Sequence, residues 1–294
     1  MSDKRVLVIG TQARPTVHEA IEQLRPVIER HAEAVVQDLE CETPLPEGDI
    51  ALAVVVGGDG SILKASRRLA PAGVPCLGVN VGRLGFLAGF SVEEVADALA
   101  AVLEDRARHV ERMMLAVRIE KCDGHHLAET ALNDVVFTQG ASRRMIGVSV
   151  DINGEAVAAY HGDGVVLATP TGSTAYNLAA GGPIIEWSLE AMVITPICPH
   201  MLTHRSIAIS SDSVVKMHLA EAERESTCII DGQVQVPLVA GDVVRVTRAP
   251  HGLVMIENPQ RSRFETLREK LHWSHPPRYA RGMPGHPPPV KPKE

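Results

Sequence analysis

Aromatic residues are scarce: two Trp, three Tyr and four Phe among 294 residues. A core built on stacked rings is therefore excluded, and the interior must rest on Val, Leu, Ile and Ala, which the 45% hydrophobic content can supply. Positive charge is also in deficit. Lys and Arg number 29 against 36 Asp and Glu, a net charge of -7, which argues against a general nucleic-acid binder but not against a local anion site. The five cysteines, at 41, 76, 122, 198 and 228, include no C-x-x-C pair, so neither a zinc framework nor a disulfide framework is expected. No apolar run reaches the length of a membrane span, and MSDKRVLVIG is too short in apolar residues for a secretory signal. A cytoplasmic address without membrane partners is expected. Internal repeats, a Walker A lysine and a G-x-G-x-x-G after a strand are likewise missing.

What is present has two textures. RVLVIG (5–10), helical spacing over 15–31 opened by Pro15, IALAVVV (50–56), a helix from about Ser61 to Leu69, a strand over 75–79 and a helix to about Leu103 headed by Ser91 and Glu94 predict an α/β unit with a parallel sheet. From Val110 to about Glu257, short strand-like runs such as LAVRIE, IGVSVDI, GVVLATP, STCIIDG and DVVRVT are separated by turn signals including Asn153-Gly154 and Asp231-Gly232, the pattern of an all-β domain. One short helix is expected around Ser173 to Ala179. The expected division is 1–108 for the α/β unit, with 258–272 packing back on it, 109–257 for the β-rich unit, and a disordered Pro/His-rich tail over 273–294.

Gly57-Gly58-Asp59-Gly60-Ser61 follows the strongest strand and opens a helix. Glycines let a phosphate approach the backbone, and the first amides of a helix face an anion. Asp59 is out of place in a simple phosphate loop. It would hold a metal bridging the phosphates or take a proton from an attacking hydroxyl, and both roles mean phosphoryl transfer; the plainer alternative is a carboxylate that caps the helix. Further on, Thr169-Pro170-Thr171-Gly172-Ser173-Thr174 precedes Ala175-Tyr176-Asn177, where hydroxyls serve either a ribose or phosphate or an ordinary helix cap. Asn133-Asp134 interrupts ALNDVVF and marks either a strand end at a ligand site or a turn between two strands. Asp231-Gly232-Gln233 reads locally as a hairpin turn, Arg143-Arg144 as a solvated pair, and Cys198 and Cys228 as buried thiols. His200 and His204 lack the adjoining Glu of the zinc-protease helix.

Taken together, GGDGS (57–61), GVNVGRLGFL (78–87), ND (133–134), GDGVVLATPTGSTAYNLAAGGPI (162–184), TPICPHMLTHR (195–205) and DGQ (231–233) closely resemble the NAD kinase family over about Val6 to Leu271. The resemblance implies a Rossmann-like N-terminal domain of the NAD kinase type and the β-rich domain behind it. It also implies an enzyme that phosphorylates the adenosine ribose 2′-hydroxyl of NAD with ATP, to give NADP and ADP. Asp59 would be the general base. Gly60, Asn133, Asp134, Arg144, His161, Asp163, Thr174, Ala175, Tyr176, Asn177, Leu178, Ala179 and Gln233 would contact NAD, with His161 and Asp163 reaching it across a subunit interface. Gly57, Gly58, Gly60, Ser61 and Lys64 would meet the donor phosphates, with Mg²⁺ brought by ATP rather than held at a fixed protein site. A homodimer or homotetramer is implied. Ser61 stands where Thr is common, and Asp134 where Glu is frequent. A lipid kinase sharing the glycine turn, and a non-catalytic NAD sensor, are the competing readings; neither a basic cluster outside the tail nor an aromatic amphipathic helix supports the first.

Overall fold

The computed structural model describes residues 4–11, 13–40, 44–82, 85–139, 145–219 and 226–273. The chain begins β1 (Arg5–Gly10), α1 (Pro15–Glu29), β2 (Glu33–Asp38), β3 (Ile50–Val56), α2 (Asp59–Leu69), β4 (Cys76–Val79) and α3 (Val95–Leu103). It continues through β5 (His109–Arg112), β6 (Leu115–Glu120), β7 (His126–Ala131), β8 (Asp134–Gln139), β9 (Ile146–Ile152), β10 (Glu155–Gly162) and β11 (Gly164–Ala168). A 3₁₀ turn (Gly172–Thr174), α4 (Tyr176–Ala179), β12 (Ala191–Ile197), β13 (Ile207–Ser210), β14 (Val215–Leu219) and β15 (Ser226–Ile230) follow. Last come β16 (Val234–Leu238), β17 (Val243–Arg248), β18 (Leu253–Ile256) and α5 (Arg263–Lys270).

The first sheet runs β2-β1-β3-β4-β18-β5. Its strands are parallel as far as β18, and β5 is antiparallel to β18. Continuous apolar runs suit parallel strands covered on both faces. Val6, Val8, Leu52 and Val54 pack with the Val17, Ile21, Leu24 and Ile28 stripe of α1 and with Val95 and Leu99 of α3. Leu7, Ile9, Ala53 and Val55 pack with Ile62, Ala65 and Leu69 of α2. The stripes follow the helical three-and-four spacing that puts apolar side chains on one face.

The remaining strands form two antiparallel sheets, β10-β9-β14-β17-β6-β7 and β13-β12-β11-β8-β15-β16. Alternate residues of both, among them Val117, Phe137, Val148, Val165, Ile194, Met217, Cys228 and Val246, share one buried cluster, so the sheets form a sandwich. A second cluster, made by Val136, Val166, Ala168 and Val193, lies on the other face of the second of these sheets, with Ala180 and Ile185 packed on it. Asn153 and Gly154 both take positive φ and tie β9 to β10 in a two-residue hairpin turn, and Asp231 and Gly232, also at positive φ, belong to the three-residue loop that joins β15 to β16.

Several boundaries differ from the sequence reading. His109–Arg112 and Leu253–Ile256 fall in the segment assigned to the β-rich unit, yet both are strands of the first sheet, because the chain returns to complete that sheet. β2, β7, β10, β16 and β18 were not anticipated; EAVVQD and EAVAAYHG carry exposed positions at a sheet edge and so lack a clean alternation. Helix α3 starts at Val95 rather than beside Ser91: the Glu94 carboxylate does accept from the Ser91 N–H at 2.7 Å, but the residues between form a turn. The expected helix over 173–179 breaks at Ala175, whose ψ of -126° is not helical. Segment 258–262 meets the first unit through Asn258 Nδ2, which donates to Gly89 O at 3.0 Å, and through Arg261 against Glu94 at 3.3 Å. Of the expected disordered tail, 274–294 lie outside the described residues.

Phe137 is fully buried between the two antiparallel sheets. Phe137→Ala is expected to lower stability by about 3–5 kcal/mol, read from urea denaturation; a loss under about 1 kcal/mol would contradict a shared sandwich core.

Candidate active site

The carboxyl end of β3 runs straight into the glycine turn. Gly57 takes φ +152°, and a Cβ there would overlap the Ser61 hydroxyl, so glycine is required by both conformation and space. The Gly57 N–H donates to Val79 O of β4 at 2.8 Å, which anchors the turn to two adjacent strand ends. Gly58 precedes α2 with open space on its Cβ side. Ser61 sits in the first turn of the helix, and its N–H donates to Gly58 O at 3.0 Å. Lys64 lies one turn further along and gives its ammonium to Glu40 on the surface; it is committed to that pair rather than directed at the glycine turn.

Asp59 is held from the opposite side by backbone. Its Oδ2 accepts from the Phe86 N–H at 2.9 Å, and its Oδ1 accepts from Leu87 at 3.0 Å and Ala88 at 3.1 Å. A carboxylate offers about four lone-pair positions, so one remains, on Oδ2. A Cβ on Gly85 would overlap Asp59 Oδ1. The GFL part of the 78–87 motif thus serves to aim this carboxylate, a task that its residue types alone did not disclose.

The second cluster is organised by Asp231. Its carboxylate is buried and accepts from the N–H groups of Leu132 at 2.9 Å, Asn133 at 2.7 Å and Asp134 at 3.2 Å. Arg67 of α2 stands 3.8 Å from its Oδ2. Two residues on, Gln233 Nε2 donates to Gly60 O at 2.8 Å. The turn read locally as a plain hairpin therefore links the junction between β7 and β8 to the helix carrying Asp59. Leu132-Asn133 makes the bend between β7 and β8 and Asp134 opens β8, and Asn133 and Asp134 line a cleft with Ala175, Tyr176, Thr138 and Gln235.

The hydroxyl-rich loop is fastened to the same junction. Thr169 Oγ1 donates to Leu132 O at 2.6 Å and accepts from the Gly172 N–H at 3.0 Å. A Cβ on Gly172 would overlap Asn133 O, so only glycine lets the two loops touch. Thr174 is half-buried, with its hydroxyl donating to Thr171 O at 3.1 Å, and Tyr176 is exposed at the cleft. Leu178 and Ala179 lie on the short helix α4, half-buried and exposed respectively. Asn177 departs from its expected ligand role. Its Nδ2 donates to Ser173 O and Pro183 O at 3.0 and 2.9 Å, and its Oδ1 accepts from Thr195 at 2.7 Å. It is fully buried scaffold, because an amide in an apolar layer must satisfy itself locally.

Asp163 and Cys198 lie close enough to Tyr176 for their charges to act on it. Burial pushes the Tyr176 phenol up, followed by the charges of Cys198, Asp163 and Asp134, so these groups face one another. Cys198 is exposed, at φ +44°, and not buried as the sequence suggested; its place just past β12 turns it outward, and a hydrogen bond to Asp163 raises its thiol. His161 lies exposed on edge strand β10, with its carbonyl accepting from the His200 N–H at 2.8 Å. Arg144 lies outside the described residues.

Burial, and then the charge of Asp231, push the Asp134 carboxyl up to about 7. Between roughly pH 4 and 7 the folded protein holds a proton there that the unfolded chain has released, so this group's contribution to stability is lost as pH rises through that window. Asp134→Asn is expected to flatten the decline. Urea midpoints at pH 4.5 and 7.5 should differ less in the variant than in the parent, and equal differences would contradict a neutral buried Asp134.

The comparisons agree along most of the chain. The family model of the ATP-NAD kinase N-terminal domain matches residues 11–107, and that of the ATP-NAD kinase C-terminal domain matches 132–258. An NAD kinase of Rhodopirellula baltica is 38% identical over 270 residues, covering 92% of this chain and 87% of its own. One from Magnetococcus marinus is 42% identical over 223 residues, covering 76% and 74%. The crystal structure of yeast NADH kinase complexed with NADH superposes with a TM-score of 0.83 at 25% identity, covering 94% of this chain and 89% of that one. An NAD kinase from Archaeoglobus fulgidus in complex with ATP superposes at 0.72 and 25% identity, covering 91% and 98%. With a glycine turn at two strand ends, a carboxylate aimed by backbone amides and two family models spanning most of its length, the chain belongs to the NAD kinase family.

Proposed function

We propose that this enzyme transfers the terminal phosphoryl group of ATP to the 2′-hydroxyl of the adenosine ribose of NAD, and that Asp59 takes the hydroxyl proton. The observation that carries the reading is the single open lone pair of Asp59 Oδ2 at the start of α2. In the reaction the ribose O–H bond breaks, its oxygen bonds to the γ-phosphorus, and ADP leaves with the bridging oxygen. Little covalent work falls to the protein, so positioning and charge stabilisation dominate.

The donor phosphates would lie against the Gly57–Ser61 turn, where α2 begins and a helix start favours anions. NAD would occupy the cleft of Asn133, Asp134, Ala175 and Tyr176, its ribose hydroxyls hydrogen-bonding with the Asp134 carboxyl. Gln233 and Gly60 would close the gap between the two substrates. The yeast structure is a complex with NADH and the Archaeoglobus structure a complex with ATP, which supports both ligand classes.

Mg²⁺ would travel with ATP, held by phosphate oxygens and water rather than by a fixed protein site, because the one open lone pair of Asp59 is given to the ribose hydroxyl. Bound there, the ion would neutralise phosphate charge. We also propose a donor-side α/β unit and an NAD-side β-rich unit, a cytoplasmic setting and a homo-oligomer. Exposed Val157 on edge strand β10, together with exposed Met201 and Leu202, supports the last.

Formation of NADP from NAD, ATP and Mg²⁺, followed by coupled dehydrogenase reduction, tests the reading. Absence of product, with NAD still binding, would favour the sensor. Asp59→Asn is expected to retain NAD affinity and lower kcat by roughly 10²–10⁴-fold; near-normal turnover would remove Asp59 from the base role. Gly85→Ala, which forces the Asp59 carboxylate aside, should lower kcat far more than it changes the KM for NAD, and unchanged kcat would show that the 86–88 amides do not aim the base.

A further inference from the structure

A second concentration of charge lies outside the glycine turn and meets the NAD-side cleft through Arg67, 3.8 Å from Asp231. Between α2 and the outer face of the β6-β7-β17 end of the sandwich is a cleft of about 540 Å³, lined among others by Arg67, Arg118, Arg245, Glu129, Thr130 and Thr247. It gathers three guanidinium groups against one carboxylate in a chain whose net charge is -7. Arg118 and Arg245 stand directly opposite each other on β6 and β17, and Lys216 of β14 continues the row beside Arg245. Like charges facing each other across strands are destabilising unless an anion joins them. Among the described residues neither Arg118 nor Arg245 has an ion-pair partner within 4 Å.

Arg67 adds an independent sign. Its Nε and Nη2 atoms are buried without a hydrogen-bond partner, and its contact with Asp231 is an ion pair at 3.8 Å rather than a hydrogen bond. Buried guanidinium donors left unused are costly, and their forked geometry suits phosphate oxygens. The cleft is separate from the glycine turn. None of residues 57–64 is among its lining residues, and Arg67 stands six residues past Ser61, about 9 Å along the helix. Its described lining contains no aromatic ring on which a base could stack, which favours a compact ligand over a nucleic-acid strand.

We propose that this cleft binds a small polyanion carrying two or more phosphate groups, and that Arg67 transmits its occupancy to the NAD side. The geometry of the link is short. A phosphate in the cleft places negative charge beside the Arg67 guanidinium and competes with Asp231 for it, and Asp231 holds the amides of Leu132, Asn133 and Asp134. The transmission half rests on the NAD-side reading above; the binding half does not.

Isothermal titration of the full chain with inorganic pyrophosphate, in the presence of a saturating non-hydrolysable ATP analogue to fill the donor turn, tests the binding. A heat signal that survives the analogue is expected, with affinity at least tenfold weaker in Arg118→Ala/Arg245→Ala. That double variant changes exposed and half-exposed side chains on a sheet face and should keep the parent kcat and KM when pyrophosphate is absent. Loss of all binding on addition of the analogue, or undiminished affinity in the double variant, would overturn the site. At fixed free magnesium, pyrophosphate should shift the KM for NAD by twofold or more in the parent and leave the double variant unmoved; binding without that shift would overturn the link through Arg67. Because the titration does not depend on turnover, an inactive preparation that still binds pyrophosphate would count against the kinase reading and not against the cleft.

Discussion

One buried carboxylate holds the two halves of this molecule in register. Asp231 receives three amide N–H groups from the junction between β7 and β8 and stands against Arg67 of α2. A charge taken out of water is tolerable only when its lone pairs are filled and a counter-charge is near, so the hairpin tip, the junction and the helix are obliged to meet at this point. The adjoining Gln233 then reaches Gly60, and Thr169 fastens the hydroxyl-rich loop to the same junction. Remove the carboxylate and three amides lose their acceptor together, which is why its effect extends beyond any single contact.

Around that anchor the enzyme separates its acidic groups by environment. Asp59 lies at a helix start with amide donors on both oxygens. Asp134 is enclosed among apolar strands beside another carboxylate and is pushed up to about 7. The same side chain is thus made an oriented acceptor in one place and a proton holder in the other.

Much of this was legible in the residues. Continuous apolar runs with helical stripes between them disclosed the parallel strands of the first sheet, and positive-φ pairs such as Asn153-Gly154 disclosed hairpins. The glycine turn announced itself because only glycine fits at Gly57. What stayed hidden depends on distant partners. Nothing local marks Asp231 as buried, since Asp-Gly is ordinary turn chemistry and its partners lie about a hundred residues earlier. Nothing in GFL states that three amides will converge on Asp59. Only the family resemblance makes Asn177 an NAD contact, whereas its amide is used up by Ser173, Pro183 and Thr195. β10 escaped notice because an edge strand exposes alternate apolar residues on the face that the pattern expects to be polar.

The first sheet carries a consequence for how the chain is made. β4 and β5 do not pair with each other; β18 lies between them. The slot stays vacant until residues 253–256 have emerged, about 180 residues after β4 left the ribosome. Until then β4 presents an open edge, the state in which nascent α/β units recruit wrong partners. Synthesis of the β-rich half therefore occurs under a time constraint set by the half that preceded it, and the last strand to appear seals the first layer to be built.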